Sequence, residues 1–128
     1  MKKVRNEIQP FKILHYRGDE TYSVILEQDN YWYDWVKEVK IKSSKYGDGH
    51  CYDDAFREYL IKNYYNLHER LDYDSENGMF CVYCKNRKDA NEVAQKLSDL
   101  YKDEEKMINL IKYVKQKYNY QFDIDIKI

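Results

Sequence analysis

The sequence predicts an α+β domain in which two β-hairpins form an antiparallel sheet and about four helices pack on one of its faces. Two pairs of segments rich in β-forming residues flank turn-forming breaks, and the apolar residues between and after these pairs recur at helical intervals. The 128 residues include one proline and four glycines and contain no linker or low-complexity stretch. We therefore expect one domain spanning residues 1–128, with its elements in the order ββααββαα.

The first hairpin is predicted from the β-forming runs Phe11–Arg17 and Tyr22–Glu27, with a break at Arg17–Glu20 between them. After this hairpin the apolar spacing becomes helical, which predicts a short amphipathic helix from about Tyr31 to Lys40. Its apolar positions are Trp32, Trp35, Val36 and Val39.

A second helix is predicted from about Tyr52 to Tyr64, beyond the break at Gly47–Gly49. Asp53 and Asp54 would then lie in its first turn, where the exposed N–H groups favour a carboxylate. One stripe of this helix is apolar and is expected to face the core. The residues of this stripe are Tyr52, Ala55, Phe56, Tyr59 and Leu60.

The second hairpin is predicted from Leu71–Asp74 and Met79–Cys84, which are joined by the turn Ser75–Gly78. An Asn-Gly pair such as Asn77–Gly78 is a strong hairpin signal because both residues tolerate positive φ.

Two further helices are predicted after this hairpin, with Asn86 and Asp103 as their N-caps, and the two could also form one bent helix. The tail, residues 119–128, alternates apolar and polar residues, so it could add an edge strand or remain a frayed end. The apolar faces of the helices are Ala90, Val93, Ala94, Leu97, Leu100 and Tyr101 in the first, and Met107, Leu110, Ile111, Val114 and Tyr118 in the second.

The charge of the chain is balanced overall but uneven along its length. The 22 Lys and Arg against 23 Asp and Glu give a net charge of −1, which does not favour binding to nucleic acid or to an anionic membrane. Residues 47–78 are acidic, with eight acids and three bases. No apolar run has the length of a signal peptide or a membrane span, so we expect a cytoplasmic protein whose three cysteines are reduced.

The pair Cys81 and Cys84 has the C-x-x-C spacing of zinc and redox sites, and His15, His50, Cys51 and His68 could complete a metal set. However, the pair lies within a predicted strand, where residues three apart point to opposite faces. Buried free cysteines are therefore the favoured interpretation, and a zinc- or thiol-dependent enzyme is the less favoured one. No motif defines a reaction, so we expect no catalytic residue, no metal and no cofactor.

The aromatic cluster Tyr31–Trp35 cannot be buried entirely, because consecutive residues of a helix point about 100° apart. Exposed tyrosines and tryptophans beside acids are typical of protein interfaces. The cluster therefore favours a protein-binding function, and the alternative is a tyrosine-rich protein whose hydroxyls are merely solvated.

Two segments together resemble the immunity protein 51 family. The first is Gly47–Tyr52, which leads into Phe56–Leu60. It is similar to a family segment that opens a helix and reads, in order, glycine-x-glycine-tyrosine-aspartate-tryptophan. This chain has His50, Cys51 and Tyr52 at the last three positions. Tyr73–Tyr83 resembles a later family segment, in which an acidic turn precedes glycine, methionine and phenylalanine.

The resemblance covers roughly residues 10–115, and it implies a cytoplasmic immunity protein of a bacterial polymorphic toxin system, of the kind that acts in contact-dependent inhibition. Such a protein binds and neutralises a cognate toxin and has no catalytic residue. An acidic surface with aromatic side chains would suit a basic toxin such as a nuclease. The alternative is a small cytosolic adaptor or regulatory domain with another protein partner, and the sequence is compatible with a monomer and with a homodimer. The residues expected to bind the partner are Tyr31, Trp32, Asp34, Trp35, Tyr46, Asp48, His50, Asp53, Asp54, Asp72, Asp74 and Glu76.

Overall fold

The structure is a computed structural model that describes residues 8–35 and 48–118. It confirms the α+β class and the broad order ββααββαα. The elements are β1 (Lys12–Leu14), β2 (Tyr22–Glu27), α1 (Asp48–Asn63), the single-turn α2 (Tyr65–His68), β3 (Asp72–Tyr73), β4 (Met79–Cys84), α3 (Arg87–Tyr101) and α4 (Glu104–Tyr118).

The four strands form one antiparallel sheet in the order β1-β2-β4-β3. The two predicted hairpins therefore lie side by side, and the central pair, β2 and β4, joins them through a six-residue register. In this register Val24 pairs with Val82, and Ile25 pairs with Cys81. Because side chains alternate along a strand, this register places the apolar residues of both strands on matching faces.

The core lies between one face of the sheet and the helices. Val24 and Leu26 of β2 and Phe80 and Val82 of β4 are fully buried there. The apolar faces predicted for α3 and α4 are buried as well, apart from Leu110, which is half-buried, and Tyr118, whose side chain lies outside the described part. α1 packs against β4, and α3 packs against β2.

The predicted N-caps of the last two helices are confirmed, and α3 and α4 are separate helices. The Asn86 side chain accepts a hydrogen bond of 2.8 Å from the backbone N–H of Asp89, and Asp103 accepts one of 3.1 Å from that of Lys106. Each cap satisfies a backbone donor that the helix itself leaves without a partner, and a cap of this kind stabilises a helix by about 1 kcal/mol.

The helix predicted from Tyr52 begins earlier, at Asp48, so Asp53 and Asp54 lie in its second turn and not in its first. The sequence indicated a break at Gly49 because glycine disfavours helices. In the structure the N–H of Gly49 donates a 2.7 Å hydrogen bond to the carbonyl oxygen of Asn77, in the turn between β3 and β4. This tertiary contact stabilises a helical start that local propensity does not predict.

A helix was predicted from Tyr31 to Lys40, but residues 31–34 are not helical in the structure, whereas Trp35 is. The N–H and the carbonyl of Tyr33 instead bond to the hydroxyl of Tyr101, on α3. Residues 36–40 of this predicted helix lie outside the described residues, as does the predicted edge strand in the tail. The single turn of α2 was not predicted.

Candidate functional site

The two segments that resemble the immunity family contact each other directly. Gly49, in the first turn of α1, packs against the backbone of the turn that follows β3. A Cβ on Gly49 would lie 2.6 Å from the amide nitrogen of Met79 and closer still to the carbonyl oxygen of Glu76. Only glycine allows this approach without displacement of the backbone. The turn itself closes as predicted, through hydrogen bonds between the backbones of Glu76 and Met79, although Gly78 does not have a positive φ.

Asp53 makes a second contact between α1 and the second hairpin. Its carboxylate accepts hydrogen bonds from Arg57 (2.6 and 3.1 Å) and from the hydroxyl of Ser75 (2.6 Å). Ser75 in turn accepts a 3.0 Å bond from the N–H of Cys81. Only 5% of Asp53 is exposed, so its carboxylate links α1 to the second hairpin from inside the fold. Asp53 therefore positions this part of the surface and does not present its carboxylate to solvent.

Arg57 continues this network towards the surface. Its guanidinium lies 4.2 Å from the centroid of the Tyr73 ring, and the Tyr73 hydroxyl is 2.9 Å from Nδ1 of His68. Burial and the positive charge of Arg57 lower the pKa of His68, which favours its neutral form. These contacts hold α2 and β3 against α1.

Three of the predicted partner-binding acids lie on or beside the second hairpin, and we call residues 72–76 the acidic turn. Asp72, Asp74 and Glu76 are all exposed. The Tyr83 hydroxyl donates a 3.1 Å hydrogen bond to Asp74, and this bond raises the pKa of Tyr83 to about 12. His50 and Asp54, on α1, are half-buried, whereas Tyr46 and the side chain of Asp48 lie outside the described residues.

The second group of predicted residues forms the aromatic loop, residues 31–35. Trp35 anchors it from inside: only 5% of Trp35 is exposed, its indole N–H donates to the carbonyl of Tyr101, and its backbone N–H donates to the hydroxyl of Tyr52. Tyr52 and Tyr101 are fully buried, and burial raises the pKa of both hydroxyls, so they remain protonated.

The outer side of the aromatic loop carries exposed rings. Trp32 is 46% exposed and Tyr33 is 49% exposed, while Tyr31 and Asp34 are half-buried. The sequence-based expectation that part of the cluster is core and part faces outward is therefore confirmed. Because the backbone of the loop is bonded to buried hydroxyls, these two rings are presented on a fixed support.

The residues that adjoin this loop were not among the predicted site residues, and we call them the α3–α4 corner (residues 99–106). The ammonium of Lys102 lies 5.5 Å from the centroid of the Trp32 ring. An open groove of about 670 Å³ runs along the corner, and Lys102 and Glu104 also line a second groove that reaches Tyr33 and Asp34. The acids along the first groove are Asp99, Asp103, Glu104 and Glu105. The local signal for this corner in the sequence is the run of acids from 103 to 105, of which Asp103 was predicted as a helix N-cap.

The cysteines lie in ordinary structural positions. Cys81 and Cys84 are both within β4, as predicted, and all three cysteines are buried thiols. Burial raises the pKa of Cys81 to about 11 and that of Cys84 to about 12, so both thiols are protonated at neutral pH. Within residues 8–35 and 48–118, no three His, Cys, Asp or Glu side chains converge in a way that could hold a metal ion.

Among the described helices, none is both long enough and apolar enough to cross a bilayer.

A comparison with protein families finds a match to the model of immunity protein 51, which covers residues 12–116. No curated protein and no solved structure matches the chain. The family match includes both motif segments, the aromatic loop and the α3–α4 corner, and it spans most of the chain. The chain therefore belongs to the immunity protein 51 family.

Proposed function

We propose that this protein binds a cognate toxin of a bacterial polymorphic toxin system in the cytoplasm and neutralises it by protein–protein contact, without catalysing a reaction. The observation that carries the proposal is the family match over residues 12–116. An immunity protein needs a stable surface that fits its toxin, and it needs no reactive centre.

The arrangement of the described side chains supports this proposal. Trp32 and Tyr33 are exposed on an anchored loop, and aromatic side chains of this kind supply much of the affinity of protein interfaces. The protonated thiols of Cys81 and Cys84 give no support to a thiol-dependent enzyme.

The predicted partner-binding residues divide by exposure into two roles. We propose that Trp32, Asp72, Asp74 and Glu76, which are exposed, contact the toxin. The buried residues Trp35 and Asp53 instead position them. The half-buried residues, together with those outside the described part, remain candidates for contacts at the edges of the interface; these are Tyr31, Asp34, Tyr46, Asp48, His50 and Asp54.

The toxin partner is expected to be basic, as a nuclease would be. The acidic turn carries three exposed carboxylates, and complementary charge increases the rate of encounter between two proteins.

A rescue experiment tests the function. The toxin domain encoded by the gene adjacent to that of this chain is expressed from an inducible promoter, with and without this chain in the same cells. We expect growth to be restored and the two proteins to co-purify with a 1:1 subunit ratio. An immunity protein from a different family, expressed to the same level, is the control and should not protect.

Two outcomes contradict the proposal. Unrescued growth together with no co-purification would rule out immunity against this toxin. Co-purification of the chain with a different cellular protein, without any protection from the toxin, would favour an adaptor or regulatory domain.

A further inference from the structure

We infer that the aromatic loop and the α3–α4 corner form one docking surface, and that its occupant is a lysine- and arginine-rich segment of the toxin. This inference rests on the proposed function and names the surface and the chemistry that carry it out. Of this surface, the residues predicted from the sequence include those of the loop and none of the corner.

The two parts are continuous. Lys102 and Glu104 line both the groove along the corner and the groove that reaches Tyr33 and Asp34. Lys102 also lies over the ring of Trp32. A partner segment that follows the grooves would therefore contact the exposed rings and the acids together.

The exposed rings are pre-organised for binding. Hydrogen bonds from Tyr33 and Trp35 to Tyr52 and Tyr101 fix the loop backbone before any partner arrives. Because the loop backbone is already ordered, binding does not lose free energy in ordering it, and the affinity is higher. An exposed tryptophan on such a support is a typical interface hot spot.

The charge of the corner selects the partner. Five acids line the two grooves together with Lys102, so the surface is acidic; they are Asp34, Asp99, Asp103, Glu104 and Glu105. Among the described residues, no basic side chain forms an ion pair with any of the four acids of the corner. By contrast, Glu58, Asp53 and Asp89 elsewhere in the fold are each paired with a base.

The carboxylate of Asp99 lies at a position that its own helix disfavours. It lies in the last turn of α3, which contains no basic residue, and the negative end of the helix dipole disfavours a carboxylate there. A basic partner would compensate this charge.

The acidic turn, which is also proposed to contact the toxin, is the other group of exposed acids. Asp72, Asp74 and Glu76 are exposed there, but none of residues 72–76 is an exposed aromatic, and the exposed ring of Tyr65 contacts His68. By contrast, the exposed rings of Trp32 and Tyr33 adjoin Lys102 and Glu104 of the corner. Charge without an aromatic anchor increases the rate of encounter but gives little residence time. The combination of both features therefore favours the corner as the main docking surface, while the acidic turn contributes mainly to the rate of encounter.

The test compares matched variants in binding to the purified toxin domain encoded by the adjacent gene, at low and at physiological salt. Trp32→Ala should weaken the affinity about 30-fold, as expected for a hot-spot residue. Asp99→Lys should lower the association rate at low salt about 5-fold and reduce its dependence on salt. This charge reversal should not harm folding, because a cation is favoured at the end of α3.

The controls are Tyr16→Ala and Glu20→Lys, which alter an aromatic ring and an acid that are exposed on the first hairpin. Both should bind as the unaltered chain does, and thermal unfolding should show that all four variants are folded. If Trp32→Ala and Asp99→Lys bind normally, or if the controls lose affinity equally, the inferred surface is wrong while the immunity function stands. If the unaltered chain does not bind the toxin, both the proposed function and this surface are wrong.

Discussion

Gly49 lies where the first turn of α1 meets the turn between β3 and β4. Its own N–H bonds to Asn77, and the space that a side chain would need is occupied by the backbone of Glu76 and Met79. Four residues later along α1, the buried carboxylate of Asp53 bonds the hydroxyl of Ser75 from the same hairpin. Close packing therefore explains why glycine stands at position 49, in the first family segment. Gly49 and Asp53 together hold the acidic turn in place.

Replacement of Gly49 by alanine should therefore destabilise the protein strongly. The added Cβ meets backbone atoms that cannot rotate away, so α1 and the hairpin must separate. We expect the free energy of unfolding to fall by about 3 kcal/mol, at the upper end of typical overpacking costs. Chemical denaturation monitored by circular dichroism measures this change.

Gly78→Ala is the matched control, in the same hairpin. A Cβ there would meet only the side-chain oxygen of Gln28, at 3.4 Å, and the φ of Gly78 is not positive. We expect a change of less than about 1 kcal/mol, in either direction. Equal effects of the two substitutions would show that close packing at Gly49 is not the cause.

The aromatic loop shows where sequence-based prediction of elements succeeds and where it fails. The hairpins, the caps and the core stripes were predicted because spacing and turn residues are local signals. The loop conformation was not, because Tyr33 bonds to Tyr101, 68 residues later in the chain. The acids of the corner were missed for the same reason: only the fold brings α3 and α4 to Trp32.

Tyr101→Phe should loosen this loop and leave the rest of the fold intact. The hydroxyl of Tyr101 accepts from the N–H of Tyr33 and donates to its carbonyl. Its removal leaves that N–H without its partner, whereas the carbonyl keeps a 3.4 Å bond from the hydroxyl of Tyr52. We expect a loss of about 1–2 kcal/mol in stability. Hydrogen exchange should show faster exchange at the N–H of Tyr33.

Tyr113→Phe provides the comparison for this substitution. Tyr113 is 50% exposed, so loss of its hydroxyl should change neither stability nor exchange. If Tyr101→Phe leaves the exchange rate at Tyr33 unchanged, the buried hydroxyl does not hold the loop.

At the scale of the whole molecule, the three buried cysteines lie on both sides of the sheet. Cys51 lies on α1, Cys84 lies on the face of the sheet that contacts the helices, and Cys81 lies on the opposite face. Each is at most 3% exposed. An opening on one side of the sheet would not expose all three thiols, so their reactivity reports on the integrity of the described fold on both sides of the sheet.

The native protein should therefore resist thiol reagents. Burial places the pKa of Cys81 at about 11 and that of Cys84 at about 12, so at pH 8 at most about one in a thousand of these thiols is the reactive thiolate, even before access is considered. Titration with a chromogenic disulfide should give at least about 100-fold slower reaction than free cysteine. In concentrated guanidinium, all three thiols should react at once.

Glu20→Cys, which adds a thiol on the exposed loop of the first hairpin, should contribute one fast equivalent and serves as the positive control. A fast equivalent in the unaltered native protein would show an activated cysteine, and would reopen the zinc- or thiol-dependent enzyme as an interpretation of this chain.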